Sequence, residues 1–205
     1  MRFRLLLLIL TLLLAVTPAM ATEVLNLTTL PANTYGGYYV GPAGGNLNGV
    51  TSLWVTCNDF NHTTGIPSSF EVNISTLPSL TYARFGNDAA ALDKYERAAW
   101  LMWQMPMNPT QIGPIQFAMW NLFYPGAPDP VGSNTWLVAA NAVDVSAFNY
   151  SNIRVFTPTS GFASNQEFLG EVPEPASLAL LGGGLLALGA FRRPRPWPWK
   201  RKTTA

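Results

Sequence analysis

Charge, cysteine and histidine are all scarce in this chain. Only 11% of its 205 residues are Asp, Glu, Lys or Arg, against about 25% in soluble domains, a deficit that argues against an ordinary cytosolic protein. One cysteine, Cys57, excludes an intramolecular disulfide, and one histidine, His62, excludes a His-rich or Cys/His zinc site by count. No Gly-x-Ser-x-Gly elbow occurs, and no Gly-rich loop with a following lysine is present to hold phosphates. The chain is expected not to be an enzyme and to need no cofactor or metal.

The charges that exist are unevenly placed. Arg2 and Arg4 stand at one end, and Arg192, Arg193, Arg195, Lys200, Arg201 and Lys202 at the other. Between Thr22 and Gly170, four basic residues face nine acidic ones, a net charge of −5. A mildly acidic body without a basic stripe gives no basis for nucleic-acid binding, which needs clustered Lys and Arg to neutralise phosphates.

Both ends carry apolar runs. Arg2 and Arg4 precede an apolar stretch from Leu5 to Val16, followed by Ala19-Met20-Ala21, the three parts of a secretory signal peptide with cleavage after Ala21. Near the other end, Val172-Pro173-Glu174-Pro175 precedes the 16-residue run Ala176–Phe191, after which come Arg192, Arg193 and Arg195. As a helix that run would extend about 24 Å, short of the ~30 Å hydrocarbon core but able to span with local thinning. The basic cluster would then keep the C-terminus cytoplasmic. The expected divisions are a signal peptide over 1–21, a secreted domain over 22–170 and a membrane-associated segment over 171–205.

Pro173-Glu174-Pro175, the Leu/Gly/Ala-rich run and the arginine cluster resemble the PEP-CTERM sorting signal of exopolysaccharide-producing Gram-negative bacteria. The resemblance implies recognition by an exosortase, a membrane-embedded enzyme that cuts near Pro-Glu-Pro and passes the protein from the inner membrane towards the cell surface or matrix. The tail from Pro196 to Ala205 is longer than that signal usually carries. On this reading the protein is a structural or adhesive component of a biofilm or floc matrix.

The body alternates between two periods. Tyr38-Tyr39-Val40, Leu53–Cys57, Phe70–Ile74 and Ile153–Phe156 read as strands bounded by turn residues. From Asp88 to Gln104, Leu92, Tyr95, Ala99, Met102 and Trp103 recur at helical spacing, with Asn87 or Asp88 as cap, Asp93 one turn before Arg97, and Pro106 as terminator. A second helix is expected from Pro114 to about Tyr124, apolar on nearly every side and hence buried. A third is expected from Thr135 to about Phe148. The expected fold class is α+β: a single domain with an antiparallel β-sheet or barrel-like part and a helical insertion, flanked by the signal peptide and a C-terminal transmembrane helix.

Two short motifs carry the chemistry. Cys57-Asn58-Asp59-Phe60 and Gln116-Phe117-Ala118-Met119-Trp120 resemble the paired motifs of thioester-forming surface adhesin domains, although Ile115 stands where that family commonly has Thr. The resemblance implies that Cys57 supplies the sulfur and Gln116 the acyl carbon of an internal thioester, with loss of ammonia, and that an amine on a partner surface opens it. Trp120, one turn after Gln116, would help exclude water. Taken alone, Cys57 reads as a small buried hydrophobe on the face of Leu53 and Val55. Gln116 reads equally as a residue satisfying an orphan helix N–H, and His62, among turn formers, as a solvated loop residue. Tyr35, Tyr38, Tyr39, Trp54 and Tyr82 are candidates for an exposed platform that binds exopolysaccharide, whereas Trp100, Trp103 and Trp120 belong to helices and the core.

Overall fold

The computed structural model describes residues 22–128 and 132–172, with Gly184. Strands β1 (Glu23–Thr29), β2 (Asn33–Tyr35), β3 (Tyr38–Val40), β4 (Ala43–Leu47), β5 (Thr51–Cys57) and β6 (Ser68–Thr76) come first, then helices α1 (Ala91–Met107), α2 (Ile112–Phe123) and α3 (Ser133–Ala142), then strands β7 (Ile153–Pro158) and β8 (Phe168–Glu171). Six strands close an antiparallel barrel in the order β1-β4-β5-β8-β7-β6, while β2 and β3 form a separate hairpin. The α+β expectation and the helical insertion hold, and the sheet is a closed barrel.

Alternation fills the barrel. Leu25 and Leu27 of β1, Leu53 and Val55 of β5, and Phe70 and Val72 of β6 meet Phe156 and Phe168 inside it, since successive side chains point to opposite faces of a strand. β7 and β8 are buried on both faces: Phe156 and Phe168 enter the barrel, while Ile153, Val155 and Leu169 pack against the helices. That double burial explains why these two strands show no polar alternation. β1, β4 and β8 leave no clear period in the sequence because Asn, Gly and Thr interrupt them.

The helices depart from the sequence expectation at their ends. α1 starts at Ala91 and no side chain caps it; Asp88 instead builds the preceding turn, accepting from the Ala90 N–H at 2.8 Å and pairing with Lys94 at 2.6 Å. The buried face of α1 is Ala91, Tyr95, Ala98, Ala99, Leu101, Met102 and Met105, and Leu92 is exposed. Pro106 lies inside the last turn rather than closing the helix. Proline removes only the N–H that would serve the Met102 carbonyl, and Asn108 caps the end beyond it, donating its backbone N–H to the Gln104 and Met105 carbonyls and its amide to Gln104. Asp93 and Arg97 make the expected pair through two 2.7 Å bonds.

α2 begins at Ile112, so Pro114 falls within its first turn, where its missing N–H costs nothing. Ten of its twelve residues are buried, as its all-round apolar surface requires. α3 ends at Ala142, and a short 3₁₀ turn, Val145–Ala147, replaces the continuation expected to Phe148. Gly113 lets α2 meet the β2-β3 hairpin: a Cβ there would lie 2.4 Å from the Tyr35 ring. This contact sets the hairpin over one end of α2. Among the described residues no helix is long and apolar enough to cross a membrane. Residues 1–21 and the run 176–191, Gly184 apart, lie outside the described residues.

Candidate functional site

Cys57, the last residue of β5, stands where the barrel interior meets an aromatic cluster of Phe60, Phe117 and Trp120. It is partly exposed, towards a cavity of about 240 Å³ that it lines with Tyr38, Gly41, His62, Gln116 and Trp120. Its sulfur is held by one neighbour: the thiol donates to the Asp59 carbonyl at 3.2 Å, and the Asp59 N–H points at the sulfur at 3.3 Å. Desolvation by the surrounding protein pushes the Cys57 thiol up to about 12. The indole N–H of Trp120, buried and without an acceptor at hydrogen-bond distance, lies near enough to the sulfur to temper that rise.

Gln116 reaches this cysteine from α2. Its Nε2 donates to the Cys57 carbonyl at 2.6 Å, and its Oε1 accepts from the Gly41 N–H at 3.2 Å. The alternative expectation, that Gln116 serves an orphan N–H of its own helix, is therefore corrected: its amide leaves the helix and bridges the end of β5 to the turn between β3 and β4. Gly41 is obligatory there, because its φ is +95° and a Cβ would lie 2.7 Å from Ile112. Trp120 is 3% exposed and stacks edgewise on Phe117 at 4.8 Å, with Phe60 at 5.3 Å and Tyr38 at 5.9 Å. The aromatic rings close the cavity on the side of α2.

Below the cysteine lies a polar network in which two buried carboxylates are fully occupied. Asp59 accepts from Tyr124 at 3.0 Å, from the Glu167 N–H at 3.3 Å and from the Arg84 guanidinium, and its Oδ1 contacts His62 Nδ1 at 2.9 Å. Glu167 accepts from Asn58 at 2.8 Å, Tyr95 and Thr157 at 2.5 Å each, and the Arg84 N–H at 2.6 Å. Burial pushes the Glu167 carboxyl up despite these donors, and it also raises the Tyr95 hydroxyl, with the Glu167 charge adding to the effect. The Arg84 guanidinium also donates to the Ala163 and Asn165 carbonyls. His62 is thus not a free loop residue: it is held three positions from Asp59 and lines the cavity. Asp59 belongs to the cysteine motif and Glu167 to the run Gln166-Glu167-Phe168-Leu169, whereas Arg84 stands in no motif and its only signal is the rarity of charge in so apolar a chain.

The aromatic platform residues separate. Trp54 is 62% exposed, and Tyr38, Tyr39 and Tyr82 are also exposed, whereas Tyr35 is half-buried against Phe117. Trp120 is buried, and Trp100 and Trp103 are partly buried against the helical core; Trp103 also borders, with Trp54, a second, apolar cavity of about 550 Å³. Among the described residues no group of three His, Cys, Asp or Glu side chains could hold a metal ion.

Fold and site together define a six-stranded antiparallel barrel domain with three packed helices and a cavity at one barrel end where a cysteine and a glutamine converge. Residues 171–193 match the family model of the PEP-CTERM protein-sorting motif. The chain therefore carries that motif, which marks an exported, exosortase-sorted protein with a membrane-anchored precursor. Pro173, Glu174, Pro175, Arg192 and Arg193 fall within the match and Arg195 just beyond it; these six, like Ala19 and Ala21, lie outside the described residues. No curated protein and no solved structure matches the chain.

Proposed function

We propose that the exported domain is a surface adhesin of an exopolysaccharide biofilm or floc, coupled covalently to amine-bearing partners through a thioester between Cys57 Sγ and Gln116 Cδ. The observation that carries this reading is the Gln116 amide. A fully buried glutamine spends both of its polar ends at the cysteine, on the Cys57 carbonyl and the Gly41 N–H, beside a solvent-open cavity. Closure joins the sulfur to the acyl carbon and releases ammonia, which takes the thiol proton. The Gly41 N–H already faces the Gln116 oxygen, so it would face the oxyanion that forms both on closure and on attack by an amine. The aromatic wall of Phe117, Trp120 and Phe60 limits water, as a stored electrophile requires.

Intact mass of the secreted protein tests this. The expected mass is lighter by one ammonia than the processed sequence and gains one methylamine after treatment with that amine; Cys57→Ser shows neither change. A full mass together with a thiol that titrates freely on unfolding would overturn the reading.

A second reading, non-covalent polysaccharide binding, is favoured by one observation: Trp54 is exposed at the edge of the larger apolar cavity, with Trp103 across it. Trp54→Ala should weaken retention on the producing strain's polysaccharide about tenfold, since aromatic stacking contributes roughly 1–2 kcal/mol. Unchanged retention would remove this reading.

A further inference from the structure

We infer that His62, oriented by Asp59, carries the proton between the attacking amine and the departing Cys57 sulfur. The inference rests on the thioester reading and adds to it the group that moves the proton. Imidazole is the side chain that takes up and returns a proton near neutral pH, and His62 is the one histidine of the chain. It lines the same cavity as Cys57 and Gln116. Its side chain keeps 34% exposure, which leaves it in exchange with water.

Its orientation is fixed from below. The Asp59 carboxylate is fully buried and immobilised by Tyr124, the Glu167 N–H and Arg84. Because a carboxylate only accepts, the His62 Nδ1 at 2.9 Å from it bears the hydrogen, and Nε2 keeps its lone pair. The backbone N–H and carbonyl of that same Asp59 hold the Cys57 sulfur. One residue therefore positions both the nucleofuge and the imidazole, and Asp59 is a positioning residue.

The chemistry calls for such a group. When an amine bonds to Gln116 Cδ and the Cδ–Sγ bond breaks, one nitrogen proton must leave and the sulfur must be released. Burial raises the Cys57 thiol to about 12, so the sulfur departs far more readily as a thiol than as a thiolate. His62 Nε2 takes the amine proton and returns it to Sγ; the products are an amide and a thiol, with no proton left over.

The test compares wild type, His62→Ala and His62→Gln. Mass reads thioester formation, and thiol release by methylamine, measured with a chromogenic disulfide, reads opening. Both variants are expected to retain the ammonia deficit yet open about 100-fold more slowly, and added imidazole should restore part of the rate in His62→Ala, whose vacated side chain borders the open cavity. Opening at the wild-type rate overturns the inference while leaving the thioester intact. A folded variant that forms no thioester, and is not restored by imidazole, also overturns it by making His62 a structural residue. A wild-type protein without the deficit removes the thioester reading itself, and this inference with it.

Discussion

Glu167→Gln is expected to lower the unfolding free energy by about 3–5 kcal/mol, since two buried hydrogen bonds to a charged acceptor, at roughly 1.5–3 kcal/mol each, are lost. The carboxylate accepts four hydrogen bonds, from Asn58, Tyr95, Thr157 and the Arg84 backbone. An amide keeps the shape but replaces one acceptor oxygen by a donor nitrogen, so two of those donors face an NH₂ group in a site closed to water. The effect also has a pH signature. Because the folded pKa of Glu167 lies above its ordinary 4.5, the folded protein holds this proton more tightly than the unfolded chain. The associated stability is fully present below the unfolded value and is lost as pH rises through the raised one. Gln does not titrate, so the gap between wild type and variant should be widest in acid and narrow above that window. Urea unfolding at several pH values measures both the size and the sign. A loss under 1 kcal/mol would show that this side chain does not hold the network together, and a gap that widens with pH would show that its folded pKa lies below the ordinary value rather than above it.

Gly45→Ala should cost about 3 kcal/mol. Gly45 pairs with Leu27 in the ladder between β1 and β4, next to the register shift that separates Leu27 from Thr29. A Cβ there would sit 2.2 Å from the Asn26 carbonyl oxygen and 3.2 Å from the Leu27 Cα. Both are backbone atoms in a closed barrel, so neither can rotate aside as a side chain would. Relief requires β1 to move, and moving β1 strains its pairing with β6 as well. Overpacking of this kind typically costs 1–3 kcal/mol, and the upper end applies where only backbone can yield. Gly65→Ala is the control: nothing lies within 4 Å of its Cβ, and removal of glycine from a loop is expected to be neutral or to stabilise by under about 1 kcal/mol. Equal midpoints for the two variants in thermal unfolding would show that barrel closure is not so tight at this point.

These two positions also show how far the sequence can be read. Strands and helices whose apolar residues recur at period 2 or 3.6 announce themselves, as β5, β6, α1 and α2 do, because burial of one face leaves a periodic trace. Gly45 leaves none: a glycine required by a neighbouring carbonyl looks like a glycine in any turn, and β4 is accordingly invisible to pattern. Pro106 misleads in the opposite direction: placed in the last turn it removes a single N–H, and Asn108 beyond it still serves the final carbonyls.

The cavity is half legible. Cys57 and Gln116 can be singled out because each belongs to a short motif, and local motifs are properties of contiguous residues. Asp59 is visible only as part of the cysteine motif, because its partners lie elsewhere: Tyr124 is 65 positions away and Glu167 is 108; His62 passes for a loop residue because its place beside the cavity, unlike its partner three positions away, is set by the fold.

By itself, the sequence determined where the chain is addressed and where its charge lies. Pro173-Glu174-Pro175, the apolar run and the arginine cluster follow one another within residues 171–193, so this signal is legible from contiguous residues alone. The tertiary structure alone decided that two carboxylates and an arginine share one buried site beneath the cysteine, and that Gln116 turns from its helix to meet Cys57. Barrel closure brings the end of β5 beside the start of β8, and only that closure can hold Cys57, Asp59 and Glu167 together against the cost of burying charge.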